Sequence, residues 1–535
     1  VIRRLLLLCL PLVSPSISLG ESGHFQTLGL EPVRGFGTNF GFFSDDRPEL
    51  LVQSLSGDGL HLGGSLNMSQ SPAYVFGRPW RYDLQQQSFM TLTPPADAPD
   101  GMKFWYEPRE GLSEPGYGSL RGMSTNGDVA VGQFYHNAVT GLINPVSPFP
   151  SEGFVGFRSE ASVSFAGPVA DIGVPGDFAP DGPAPHSTRL TAVTGDGSLS
   201  VGYGSIEQET FTTSPRHDAR HASAGGGPAI VATTFAIVAD ESGNVTRLDA
   251  INATGALTNQ QARDVSSEGQ YIVGTQNGGQ GASFDSTHVF RWSEAVGFES
   301  IPVQPFPLPA SSAYRPYLDK TLAISGDGST IVGSGNEGGF IWREDGGTEI
   351  LEFLGATDVN HDGSVIVGGS YIGGGAFYRW NDRHLSLYDL VDRHGLDLPD
   401  HLALLATQVS DDGRTIAGGI KMDVDGTYLN DAFVLRLDAL GDATGDGRVD
   451  LADFTLLRNH FGQTDADTPD GMLRFSDGDF NIDGVVDLAD FTILRNSFDN
   501  AADLPVLDAW HQSLVPEPAA AAALLLLTVS LRRRN

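Results

Sequence analysis

Between residues 50 and 440 the apolar positions fall in short runs with strand-like alternation, and almost nothing there repeats with the period of a helix. One turn phrase returns seven times: Leu55-Ser-Gly-Asp-Gly59, Met123-Ser-Thr-Asn-Gly127, Val193-Thr-Gly-Asp-Gly197, Val265-Ser-Ser-Glu-Gly269, Ile324-Ser-Gly-Asp-Gly328, Val359-Asn-His-Asp-Gly363 and Val409-Ser-Asp-Asp-Gly413. Each reads as a strand end followed by an Asp-Gly or Asn-Gly type turn, and six lead into a short apolar strand ending Val-Gly or Ala-Gly. Farther on in each unit an aromatic strand follows, such as Ala73–Phe76, Gly153–Phe157, His288–Trp292, Ala376–Trp380 or Ala432–Leu435. Most units then offer a fourth strand of the kind Gly297–Ile301.

Four short antiparallel strands repeated at intervals of roughly 35 to 70 residues predict a seven-bladed β-propeller of four-stranded blades over residues 21–440. A β-helix or β-sandwich array is the alternative, and the unequal spacing argues against the helix. The last unit runs out of chain before its fourth strand. The segment Gly23–Leu30 resembles the fourth strands of other units and is expected to close the ring against residues 431–437. The Asp residues of the turn phrases read as turn chemistry, and the aromatic residues as core between blades.

After residue 440 the period changes. Phe454, Leu457 and Phe461, then Phe491, Leu494 and Phe498, stand at helical spacing, each set preceded by a twelve-residue acidic loop, 442–453 and 479–490. A hard divalent cation takes six to eight oxygens, and such a loop supplies them from positions 1, 3, 5, 7, 9 and 12, position 7 through its backbone carbonyl. Those positions are Asp442, Thr444, Asp446, Arg448, Asp450 and Asp453 in the first loop, and Asp479, Asn481, Asp483, Val485, Asp487 and Asp490 in the second. Gly447 and Gly484 fill position 6, where the chain turns sharply. Two Ca2+ sites are expected.

This duplicated loop–helix unit, with Asp rather than Glu at position 12, resembles the type I dockerin domain over about residues 441–500. It departs from the family pattern at Thr444, where Asn or Asp is usual, so the first site is expected to be the weaker. The resemblance implies a module folded by calcium that grips a cohesin-like protein through Leu451, Ala452, Arg458 and Asn459 or through the matching Leu488, Ala489, Arg495 and Asn496. Because the quartets are identical, either of two binding orientations is implied. The other reading of Leu451 and Leu488 is as helix-start residues packed within the module.

The repeated phrases of residues 50–440 also look like the HAF-type repeats of exported bacterial proteins, a resemblance that names no activity. Residues 1–20, basic at Arg3 and Arg4 and then apolar, read as a signal peptide for signal peptidase. At the other end Val515-Pro-Glu-Pro518, an apolar run too short to span a bilayer comfortably and Arg532–Arg534 resemble the PEP-CTERM signal. That signal implies exosortase processing, transient membrane retention through the tail (515–535) and a final place at the cell surface or extracellular matrix. Residues 501–514 read as a linker.

A net charge of −34 excludes nucleic acid and anionic membrane surfaces as partners, since no basic stripe offsets it. The single cysteine, Cys9, lies in the signal-like segment, so the mature chain has no disulfide to rely on. No nucleophile elbow, phosphate loop, zinc-protease helix or cysteine cluster is present. His217 and His221 stand four apart, but in a Gly- and Ser-rich insertion. The expected function is that of an exported, surface-sorted calcium-binding protein: a binding or scaffolding propeller attached through its dockerin-like module. The alternative is a polysaccharide-degrading hydrolase or lyase with carboxylates in the propeller channel, a pairing that leaves no local motif. Carboxylates in that channel would favour the enzyme, and a polysaccharide ligand fits either reading.

Overall fold

A computed structural model describes residues 24–28, 49–67, 77–92, 118–136, 153–160, 186–210, 229–242, 245–248, 259–277, 287–303, 322–334, 338–352, 354–370, 375–380, 382–399, 403–424 and 427–514. The signal-like and sorting segments, the aromatic strand expected at 73–76, and His217 and His221 lie outside them. Two compact units are present. Residues 24–392 with 396–436 form the first, and residues 393–395 with 437–514 the second.

The first unit is built of antiparallel sheets taken in chain order. After β1 (His24–Thr27) come β2 (Glu49–Leu55), β3 (His61–Asn67), β4 (Gly77–Asp83) and β5 (Ser88–Thr91), the first sheet. The second holds β6 (Gly118–Met123), β7 (Val129–His136) and β8 (Gly153–Glu160). The third comprises β9 (His186–Val193), β10 (Leu199–Thr210), β11 (Ala229–Asp240) and β12 (Val245–Arg247). The fourth runs β13 (Asn259–Val265), β14 (Ile272–Asn277), β15 (Thr287–Ser293) and β16 (Gly297–Ile301). Then come β17 (Leu322–Ile324), β18 (Thr330–Ser334), β19 (Gly338–Arg343) and β20 (Gly347–Glu352), and after them β21 (Leu354–Val359), β22 (Val365–Ser370), β23 (Ala376–Trp380) and β24 (Arg383–Ser386). Helix α1 (Leu387–Arg393) follows, then β25 (Ala403–Val409), β26 (Thr415–Val424) and β27 (Thr427–Arg436).

This is a β-propeller, with one correction to the expected blade count. Six blades have the expected four strands, not seven; the second repeat contributes a three-stranded sheet, β6–β8, among the described residues. Residues 161–185, which follow β8, lie outside the described residues. In the first sheet the third strand is β4, centred on the fully buried Trp80, rather than residues 73–76.

The turn phrases explain why the sheets form a ring. In each, the glycine stands at φ 68–78°, a left-handed conformation that a Cβ would oppose. The side chain three residues earlier bonds locally: Ser56 Oγ accepts from His61 N–H at 2.9 Å while Asp58 Oδ1 accepts from Leu60 N–H at 3.0 Å. The tips then bond to one another. Backbone N–H groups of Asp58, Thr125, Gly195, Ser267, Asp327, His361 and Asp411 donate in turn to Thr125, Gly195, Ser267, Gly326, His361, Asp411 and Gly57, at 2.7–3.2 Å, and the circle closes. Between the sheets lie buried aromatic side chains from the third strands, Trp80, Phe235, Phe290, Phe340, Phe377 and Phe433.

The chain ends of this unit meet as expected. Strand β1 pairs antiparallel with β27, His24 opposite Arg436 and Thr27 opposite Phe433, and Phe25 stacks on Phe433 at 5.4 Å. An edge that would otherwise stand open is thereby paired.

The second unit contains α2 (Leu451–His460), α3 (Leu488–Asn496) and α4 (Leu504–Leu514). Phe454, Leu457, Phe491 and Leu494 are buried in one core with Leu473, Phe475 and Phe480. Residues 501–514, which read as a linker, instead carry α4: Leu507 is fully buried and Trp510 sets its ring on Phe454, Phe461 and Phe491 at 5.0–5.2 Å. Among the described residues no helix is long and apolar enough to cross a membrane.

Candidate metal centre and binding face

Both acidic loops fold back on their own carboxylates in the same way. Asp442 at position 1 accepts from Gly445 and Asp446 N–H with one oxygen (2.8 and 3.2 Å) and from Gly447 N–H with the other (2.8 Å). Asp479 does the same with Asp483 and Gly484 N–H, both at 2.9 Å. The position-12 carboxylates tie the two ends of each loop: Asp453 accepts from Thr444 and Asp450 N–H at 2.9 and 2.8 Å, Asp490 from Asn481 and Asp487 N–H at 3.0 and 2.9 Å. Position 9 then starts the helix. Asp450 and Asp487 are N-caps, each accepting from the alanine two residues on at 2.7 Å, and with Asp453 and Asp490 they complete capping boxes.

Four of these carboxylates, on Asp442, Asp453, Asp479 and Asp490, are at most 2 % exposed. Desolvation raises the pKa of Asp442, that of Asp479 to about 6 and that of Asp490 to about 7. Asp446 and Asp483 at position 5 are exposed, as are Thr444 and Arg448, while Asn481, Val485 and Asp450 are half-buried and Asp487 is exposed. Among the described residues no three His, Cys, Asp or Glu side chains are drawn together as a metal-holding group. The carboxylate oxygens are turned to backbone N–H groups instead. By chemistry the donor set fits a hard cation, being all oxygen and carrying several buried negative charges that lack a matching set of positive ones.

The loops differ in three respects. Position 3 is Thr444 in the first, its hydroxyl 3.3 Å from Asp442 Oδ1, and Asn481 in the second, whose Oδ1 accepts from Asp483 N–H at 2.9 Å. Position 4 is Gly445 at φ 69° against Ile482 at φ 55°, a β-branched residue in left-handed backbone, which is strained. The second loop also has a cation nearby, for Arg393 lies 3.4 Å from Asp479 and 3.0 Å from Asp465. Sequence reading missed Arg393 because nothing local marks an arginine so far from the loop as its neighbour.

The quartets suggested for partner binding stand at equivalent helix positions. Ala452, Arg458 and Asn459, and Leu488, Ala489, Arg495 and Asn496, are exposed; Leu451 is half-buried, whereas Leu488 is 42 % exposed. The two faces are not identical in their surroundings. Arg495 is ion-paired to Asp508 of α4 at 2.8 Å, and Arg458 lies over the Phe454 ring at 5.9 Å. Asp508 is a second residue that sequence reading passed over.

In the propeller, two channel-facing carboxylates belong to the scaffold. Asp264 accepts from Val265 and Ile324 N–H at 2.8 and 2.9 Å, and Asp358 from Val359 and Val409 N–H at 2.9 Å each, so both oxygens join one sheet to the next. Burial raises the pKa of Asp264 to about 6 and also raises that of Asp358.

A propeller followed by a paired loop–helix module is thus the class that fold and site define. Residues 440–499 match the model of the type I dockerin domain, and that segment is where the acidic loops and both quartets lie. Dockerin domains bind calcium and cohesin partners, and proteins bearing them are generally extracellular or at the cell surface. No curated protein sequence matches the chain. Among solved structures it is similar to the acylaminoacyl peptidase of Pyrococcus horikoshii, at 10 % identity over 73 % of this chain and 52 % of that one, with TM-score 0.40. It is also similar to the oligogalacturonate lyase of Vibrio parahaemolyticus (10 % identity, 78 % and 97 % covered, TM-score 0.37) and to the Dos1 propeller (11 %, 78 % and 95 %, TM-score 0.35). The chain spans about half the length of the peptidase.

Proposed function

We propose that the protein is an exported attachment protein, whose dockerin domain binds two calcium ions and a cohesin-like partner while its propeller binds a further ligand. The duplicated loop–helix unit carries this reading, because it offers the same quartet twice at equivalent helix positions, exposed throughout except for the half-buried Leu451. In the first site Asp442, Thr444, Asp446, Asp450, Asp453 and the Arg448 carbonyl would hold the ion; in the second, Asp479, Asn481, Asp483, Asp487, Asp490 and the Val485 carbonyl. The ion supplies positive charge that offsets the buried carboxylates and fixes the loops, and thereby the helices that follow them. Export through the N-terminal segment and exosortase-dependent sorting through residues 515–535 belong to the same proposal. Three carboxylates line the propeller channel, and their engagement supports binding over hydrolysis: Asp264 and Asp358 have both oxygens on backbone N–H groups, and Asp411 accepts from the Thr125 hydroxyl at 3.1 Å.

The test is binding of a cohesin-like protein to the full chain, with Leu451 and Arg458 changed to Ala, then Leu488 and Arg495, then all four. Either pair alone should leave substantial affinity, and all four should abolish it. Loss of all binding on changing one pair would leave a single-faced interaction, and retention after changing all four would overturn the assigned face.

A further inference from the structure

The first strands of the sheets line a central cavity of about 380 Å³, within the range of small-ligand sites. In six of the seven sheets that strand carries a bulge, which puts one residue out of the ladder: Gln53, Arg121, Thr191, Arg263, Thr357 and Thr407. A bulge re-aims the side chain it releases. The three threonines use theirs for the fold, each hydroxyl donating to a carbonyl of the next sheet: Thr191 to Ala262, Thr357 to Ala406 and Thr407 to Val52, at 2.9–3.2 Å. Where the repeat departs from threonine, a long polar or cationic side chain lines the cavity instead. The ring therefore does not require arginine at this position.

The cavity's arginines are concentrated on one side, two of them at bulges, Arg121 and Arg263, and the third, Arg189, two residues before the Thr191 bulge of the sheet between. Arg121, Arg189 and Arg263 come from the second, third and fourth sheets in succession, and all line the cavity. Arg189 and Arg263 share the ring of Tyr203, their guanidinium carbons 5.4 and 5.1 Å from its centroid, and Arg189 also donates to Tyr203 Oη at 2.9 Å. Two like charges are thus held against one ring in a confined channel. The same lining holds three carboxylates, Asp264, Asp358 and Asp411. Of the lining carboxylates, Asp264 and Asp358 have their oxygens on backbone N–H groups and Asp411 accepts from Thr125 Oγ1 at 3.1 Å. Gln53 and Gln133 line the cavity too, and Gln53 Oε1 is buried without a hydrogen-bond partner and so offers an acceptor to a hydroxyl.

We infer that the channel binds an acidic oligosaccharide, the arginines taking its carboxylates and the glutamines its hydroxyls. Guanidinium forks match planar carboxylates, and a row of three suits a ligand with repeated acid groups better than a single anion. This names the ligand of the propeller and rests on reading that domain as a binding domain.

The experiment is calorimetric titration of the full chain, with calcium present, using a galacturonic acid trimer, the neutral galactose trimer and inorganic phosphate. The acidic trimer should bind, at least tenfold more tightly than either of the others, and more weakly as salt is raised. Arg189→Gln with Arg263→Gln should weaken it at least tenfold while the propeller's thermal transition holds. Should that pair unfold the ring, Arg263→Lys, which keeps the charge but loses the fork, must still weaken binding severalfold. Equal binding of the neutral trimer, preference for phosphate, or indifference to the arginine changes overturns the inference. A neutral saccharide that binds regardless of the arginines would leave the binding-domain reading standing while removing this site; no binding by any saccharide would count against both.

Discussion

Asp196 in a propeller turn and Asp479 at the head of a calcium loop are the same side chain in opposite circumstances. Asp196 is exposed, and the Ser198 N–H at 2.8 Å, helped by the Thr194 hydroxyl at 2.7 Å, holds its pKa below the usual carboxylate range. Asp479 accepts two backbone N–H bonds and a third bond from Arg393, yet burial carries its pKa up to about 6. More hydrogen bonds do not give more comfort. What differs is desolvation and the neighbouring Asp483, so the propeller settles its acids with its own backbone whereas the module concentrates acids beyond what its backbone can settle. The propeller should therefore be indifferent to calcium and the module dependent on it.

The largest expected effect breaks the comparison outright. Chelating calcium from the full chain should abolish the helical circular dichroism of α2 and α3 and remove one calorimetric transition, leaving the sheet signal in place. Identical spectra with chelator and with calcium would sink the two-site reading. Deleting residues 24–28 is the converse experiment. It removes four paired residues, the Leu28 N–H bond to Ala432 and the Phe25–Phe433 stack, on the order of 3–5 kcal/mol together, and should lower only the propeller's transition. An unchanged midpoint would mean that the ring closes without β1.

How much of this was legible depended on how local the signal is. The turn phrases and the acidic loops could be read because donor, acceptor and glycine lie within a dozen residues of one another. Strand β4 could not, since Pro79 in its middle argues against a central strand, and only pairing with β3 and β5 places it there. Helix α4 was hidden for a different reason: Leu507 and Trp510 are apolar to a purpose only once Phe454 and Phe491 are in place. Bulges such as that at Arg263 are properties of register between strands, so the channel arginines carried no mark in the sequence. The blade count failed at the second repeat, where one turn phrase and one aromatic strand suggested a unit of four strands and three are described.

A smaller effect tests the propeller's exceptions, Asp264 and Asp358, which are acids desolvated as the module's are. Their folded pKa values lie above the ordinary 3.8, so the folded ring binds protons that the unfolded chain releases. Their contribution to stability is complete below about pH 4 and is lost as pH rises through about 6 for Asp264. The propeller's stability should thus fall across that window by on the order of 1–3 kcal/mol from Asp264 alone. Asp264→Asn should flatten the slope while lowering stability throughout, because an amide oxygen cannot take both N–H bonds that the carboxylate accepts. A slope unaltered by that substitution would assign the pH dependence elsewhere.

The smallest effect sharpens the comparison within the module, between its two loops. At position 3 the second loop has an amide, whose Oδ1 accepts from Asp483 N–H and whose Nδ2 donates to Asp483 Oδ2 at 3.0 Å, so that Asn481 steadies the next ligand. In the first loop Thr444 offers a hydroxyl that bonds back to Asp442 instead, and Asp446 has no such neighbour at position 3. Thr444→Asn should restore the missing pair, and one hydrogen bond is worth about 1 kcal/mol, hence roughly five- to tenfold in calcium affinity at the first site. The reciprocal Asn481→Thr should weaken the second site by a similar factor. Against this stand the strain at Ile482 and the nearby Arg393, both of which burden the second loop alone. Titration of the two substitutions side by side separates these terms: a large gain at Thr444→Asn with a small loss at Asn481→Thr would show that strain and charge, rather than the position-3 donor, limit the second site, whereas no change in either would remove position 3 from the account.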